Sequence, residues 1–121
     1  MKQIAQNHDD VRARSRETAA PFLRADDGRG TQARLMGAAV EVQLAIADEH
    51  SRARARGVPP EVFLNGVIVT IARILSPTVE FFGLHKDRDA MTWLMTEIVT
   101  ATDEMAHKTS GKISLQLPPT A

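Results

Sequence analysis

Glu104 and His107 stand three residues apart, a spacing that lets one helix face offer a carboxylate and an imidazole together. Carboxylate di-metal bundles use two such Glu-x-x-His pairs plus two further glutamates. The chain has one pair. Glu97 precedes Glu104 by seven residues on the same stripe, Glu41 or Glu49 could come from another helix, and a dimer would duplicate the pair by symmetry. Against this stands a polar, solvated face, so a metal held by Glu97, Glu104 and His107 is kept as an alternative only. No cofactor is expected.

A second constellation is Gln43, His50 and Arg54, at spacings of seven and four in a helical pattern. As a ligand site it would take a small acid, with Arg54 supplying charge and Gln43 and His50 orienting it. The favoured interpretation is structural. Polar groups in an apolar sector need partners and often fix bundle register, and Arg54 near a helix end can extend its head to water.

The third is the only Trp. Trp93 shares a face with Glu97, Thr100, Glu104 and His107, opposite an apolar stripe of Met91, Leu94, Met95, Ile98, Met105 and Ala106. An indole projecting from a polar face is the residue type most enriched at binding hot spots, which marks Trp93, Glu97 and Thr100 as a partner-binding set. The competing expectation is that the segment 78–86 folds over it.

Other chemistry is missing. There is no cysteine, and Gly28-Arg-Gly30 is too short for a phosphate-cradling loop. No serine sits in a nucleophile elbow. The runs Arg12-Ala-Arg14-Ser-Arg16 and Arg52-Ala-Arg54-Ala-Arg56 do not stack into stripes on a helix, and Asp10 and Asp48 lie four residues before Arg14 and Arg52. Fifteen basic residues balance fifteen acidic ones, without the basic excess that phosphate binding uses. A helix-turn-helix over 44–75 would need a recognition helix that opens on two prolines and is almost wholly apolar. Nucleic acid is therefore disfavoured, and a non-enzymatic protein is expected.

The elements that must position these residues are helical. Aromatics are only 4% of 121 residues, so a core must come from Leu, Ile, Val, Met and Ala, which suits helix packing. Residues 1–30 are polar, with a short helix from Asp9 or Asp10 to Ala20 and a flexible loop over 24–30. Thr31 can cap a helix reaching Arg56, and Gly57 with Pro59-Pro60 ends it. Pro60 can open a second long helix, which Pro77 ends. Residues 78–86 form an apolar connection packed down by Phe81 and Phe82, and Asp87 caps a third long helix to about Thr109. The tail Lys112–Leu117 alternates like a strand.

In the helix 32–56, two adjacent apolar stripes, Leu35-Ala39-Val42-Ile46 and Met36-Val40-Leu44-Ala47, predict two neighbours. The helix 60–75 is apolar around nearly its whole circumference, with Gly66, Thr70 and Arg73 making a narrow polar sector. Such a helix must be surrounded, and three long helices can hardly surround their own middle one. The stretch 58–75 falls short of a bilayer span, and the first ten residues lack a secretory leader.

The expectation is thus an all-α bundle of three long helices plus a short amino-terminal one. It has a polar, partly mobile segment 1–30, a helical core 31–111 and an extended tail 112–121. The expected function is a cytoplasmic homodimeric module that binds another protein, as an adaptor, regulator or accessory subunit, without a membrane. The alternative is a bundle binding a small acid or metal.

Overall fold

A computed structural model describes the backbone over residues 2–110 and side chains over 7–108. The chain is all-α, as expected. Its helices are α1 (Lys2–Ala19), α2 (Gly28–Ala55), α3 (Pro60–Phe81) and α4 (Arg88–Ser110), with 3-10 turns at Ala20–Phe22 and Leu84–Lys86. The strand expected over 112–117 lies outside the described residues. Two compact units divide the chain, Met1–Val69 and Thr70–Ala121, the division falling within α3.

In the first unit α1 and α2 pair antiparallel. The core is small: Ala19 at the end of α1 and Ala33, Val40, Leu44 and Ala53 of α2 are its buried apolar residues. Spacings of four, three and four residues put His8, Arg12, Ser15 and Ala19 on the α2-facing side of α1, and the first three are half-buried. That side is mostly polar, so ion pairs join the helices where leucines usually would. His8 Nε2 lies 3.2 Å from Asp48 Oδ1. Arg12 grips Glu41 with a fork, Nε to Oε2 at 2.6 Å and Nη2 to Oε1 at 2.9 Å, and also reaches Asp9 at 3.2 Å.

The hairpin turn is shorter than the loop expected over 24–30, because α2 begins at Gly28 and not after Thr31. Asp27, not Thr31, caps α2: its Oδ1 accepts the Gly30 backbone N–H at 3.0 Å. Arg34 reaches back from α2 and donates to the carbonyls of Leu23 at 2.9 Å and Ala25 at 2.8 Å. Gly30 is buried so close to Ala25 that a Cβ would collide with the Ala25 carbonyl. Helix α1 also runs longer than the short helix expected, beginning at Lys2.

The end of α2 follows the sequence closely. Gly57 takes the left-handed conformation at φ 70°. The Val58 N–H bonds the Ala53 carbonyl at 2.9 Å and the Gly57 N–H bonds that of Arg54 at 3.2 Å, the paired bonds of a Schellman stop. Buried Ala53 and half-buried Val58 complete it. Beyond Pro59, Pro60 opens α3 with Glu61 in its first turn.

Pro77 does not end α3, contrary to expectation; the helix continues to Phe81. A proline leaves the carbonyl four residues earlier without its amide donor, here that of Arg73. The Ser76 hydroxyl donates to that carbonyl at 3.2 Å and offsets the loss. Gly83, at φ 65°, then turns the chain, and Asp87 Oδ1 caps α4 by accepting the Asp89 and Ala90 N–H groups at 3.0 and 3.4 Å.

Two carboxylates of the hairpin give it an acid-sensitive component. Hydrogen bonding from Arg12 holds the Glu41 carboxyl below the ordinary glutamate range, and the Gly30 N–H, then Arg29, does the same for Asp27. A carboxylate whose folded pKa is depressed contributes stability above its unfolded pKa, lost as pH falls through the folded value. The Tm is therefore expected to fall on acidification below about pH 4, less so in Glu41→Gln. Circular-dichroism melts from pH 7 to pH 2 check this, and equal acid sensitivity in the variant would contradict it.

Candidate interaction surface

Every buried residue among the described ones lies between Ala19 and Ala53. Helix α3 buries none of its residues. Val62, Leu64, Ile68, Val69, Ile71 and Ile74 are all exposed, Ile68 at 63%, and Phe81 reaches 82%. Phe63, Val67, Leu75 and Val79, at four- and eight-residue intervals, are the half-buried side. In the first unit the His50 ring lies 4.9 Å from the Phe63 ring, tilted by 32°.

Three expectations are corrected here. Phe81 and Phe82 do not pack the connection down: they touch each other edge to face at 5.1 Å, with Phe82 still 66% exposed. Of the two α2 stripes, one is buried at Val40 and Leu44, half-buried at Met36 and exposed at Ala47, while in the other Leu35 and Ala39 are exposed and Val42 and Ile46 half-buried. Finally, α3 spans 22 residues because it passes through Pro77, so by length and composition it is long and apolar enough to cross a membrane, which the stretch to Leu75 was not.

Trp93 is exposed on α4 at 58%, and Glu97, Thr100, Glu104 and His107 along the same stripe are exposed too. The apolar stripe opposite is half-covered at Met91, Leu94 and Ile98 and open at Met95 and Met105. Periodicity therefore locates the stripes on α4, and both remain accessible.

The polar constellations lie on exposed faces of the single chain. Gln43, His50 and Arg54 are all exposed, so they are not the buried seam expected, and the contact His50 makes is to Phe63. The His107 ring turns to its own helix, with Nδ1 2.8 Å from the Asp103 carbonyl and 3.4 Å from Asp103 Oδ1. Among the described residues no three His, Asp or Glu side chains come together to hold a metal. An open apolar recess of about 140 Å³ is lined by Thr18, Ala19, Phe22, Ala33 and Met36, with the Arg29 guanidinium over the Phe22 ring at 5.4 Å. Ligand pockets usually hold about 300–1,000 Å³, more than this recess offers.

What sequence reasoning missed is the Arg12–Glu41 fork and the Arg34 staple. Both join residues far apart in the chain, and no local spacing signals them. What the chain presents most strongly is uncovered apolar helix. Comparison with known protein families, with curated proteins and with solved structures finds no match.

Proposed function

We propose that this protein is a non-enzymatic homodimeric interaction module, in which α3 of two copies forms the shared core and the Trp93 stripe of α4 engages another protein. The observation that carries this is α3 itself, apolar on nearly every side yet with no buried residue. Fully covering one aliphatic side chain is worth about 1.5–3 kcal/mol. A micromolar complex needs about 8 kcal/mol net, after an association cost of several kcal/mol. A few residues among Ile71, Ile74 and Phe81, with their neighbours, supply that scale of burial.

A lipid environment is the other place for such a helix, and Arg73 counts against it. It lies near the middle of α3, where a charge costs about 2.5–3.5 kcal/mol on insertion scales and more on an isolated helix. At a protein interface the same guanidinium keeps its charge beside a carboxylate at far lower cost.

The assignment of α4 to a second partner is tested by Trp93→Ala. The dimer dissociation constant is expected to stay within about twofold, while affinity for a purified partner falls by about thirtyfold, the scale of a hot-spot indole. Loss of the dimer, or unchanged partner affinity, would contradict the division of labour between α3 and α4.

A further inference from the structure

Resting on the homodimer reading above, we infer that the two α3 helices pair antiparallel in a single register, set by Arg73 of each copy against the partner's Glu80.

On α3, Phe63, Val67, Thr70, Ile74, Pro77 and Phe81 alternate at four and three residues, the spacing of a coiled-coil seam. Gly66, Arg73 and Glu80 each precede a seam position by one residue, so they line one flank of it. Both charged members are exposed, and neither side chain has an ion-pair or hydrogen-bond partner among the described residues. On a helix otherwise so apolar, one cation and one anion seven residues apart on the same flank are an unmatched pair.

In two antiparallel helices related by a two-fold axis, each flank faces the same flank of the other copy. Arg73 then meets the partner's Glu80 when Ile74 lies opposite the partner's Pro77 and Phe81 opposite the partner's Thr70. These are regular seam layers, and symmetry makes the ion pair twice.

Competing registers do worse. Moving to the next seam register that lengthens the overlap sets Arg73 directly against the partner's Arg73. The one after that leaves Arg73 facing the partner's Gly66. Parallel pairing puts the flank opposite Ile71 and Thr78 of the other copy, with no opposite charge for either residue. Like charges held face to face cost several kcal/mol and oppose the first of these longer overlaps, while the second gives up both ion pairs. The chosen overlap runs over Thr70–Phe81, about 18 Å of helix, and covers Phe81. Val62, Leu64 and Ile68 lie outside it.

The test uses Arg73→Glu and Glu80→Arg on the full chain, both substitutions being at exposed helical positions. Each variant alone faces like charges, and its dimer is expected to weaken about tenfold or more. Mixed in equal amounts, they should form the heterodimer in preference, with near wild-type affinity, resolved by mass in native mass spectrometry. The double variant should also recover. A wild-type dimer whose single variants keep full affinity and mix statistically would overturn the register while leaving the homodimer standing. A wild-type chain that stays monomeric at tens of micromolar overturns both. So does one that instead floats with phosphatidylcholine–phosphatidylglycerol vesicles, which would assign α3 to lipid.

Discussion

Replacing Ile74 by Asp is expected to make the protein monomeric at concentrations where the wild type is a dimer, raising the dissociation constant at least a hundredfold. Ile74 is 53% exposed in the single chain, so the substitution removes no contact that holds the chain's own fold together. In the dimer its side chain would lie in the shared core, where an aspartate would be buried without a partner. Truncating a hot-spot residue near the centre of an interface costs about 2 kcal/mol or more, and an unpaired buried charge costs more than truncation. The sum exceeds about 3 kcal/mol, or more than a hundredfold. Ile68→Asp is the internal comparison: Ile68 is equally apolar and exposed but falls outside the proposed overlap, so its dimer should persist. Sedimentation velocity over a hundredfold concentration range distinguishes the two. Equal monomerisation by both would place the seam elsewhere on α3, and dimers of unchanged affinity in both would remove α3 from the interface.

The second large effect concerns folding of the hairpin, and it sets two glycines of one helix against each other. Gly30→Ala gains about 1 kcal/mol of helix propensity. It also drives a methyl into the Ala25 carbonyl, a backbone group that cannot swing aside. Arg34 holds that oxygen at 2.8 Å, and the Ala25 N–H is bonded to the Phe22 carbonyl at 3.0 Å. Overpacking of this kind costs about 1–3 kcal/mol and sometimes more, and here displacement would also disturb the Asp27 cap. Net destabilisation of at least 1 kcal/mol is expected. At Gly37, also inside α2, a Cβ meets nothing within 4 Å, so Gly37→Ala should stabilise by about 0.5–1 kcal/mol. Urea titrations of both variants check the pair. A stabilised Gly30→Ala would mean that the turn is looser than the Asp27 and Arg34 contacts require.

Those two glycines also show what can be read from the chain before its structure. Helix ends written in local chemistry were legible: Gly57 with Pro59-Pro60, Pro60 as a first residue, Asp87 as a cap. So was the nearly complete apolar circumference of α3, which is a property of spacing alone. The mistakes came where a distant or neighbouring group overrides a local rule. Pro77 normally stops a helix, but the Ser76 hydroxyl takes up the carbonyl it orphans. Thr31 is a good capping type, but Asp27 stands closer to the turn and accepts the Gly30 amide. The polar character of residues 1–30 was legible, but not that His8–Asp48 and Arg12–Glu41 pairs hold the face α1 turns to α2.

The candidate site divides in the same way. Face assignments on α4 were recoverable from a 100° step, so Trp93, Glu97 and Thr100 do share an accessible stripe. Burial of Gln43, His50 and Arg54 was not recoverable, because periodicity says which residues share a side and nothing about what covers that side. The aromatic contact of His50 with Phe63 depends on how the chain doubles back after Gly57, which no spacing within α2 encodes.

Sedimentation equilibrium of the untagged chain at micromolar concentrations, without detergent, tests the central claim most directly. A particle of twice the 13.3 kDa chain mass, dissociating reversibly on dilution, is the predicted result. A stable, well-folded monomer throughout that range would contradict it, because α3 would then remain uncovered without consequence.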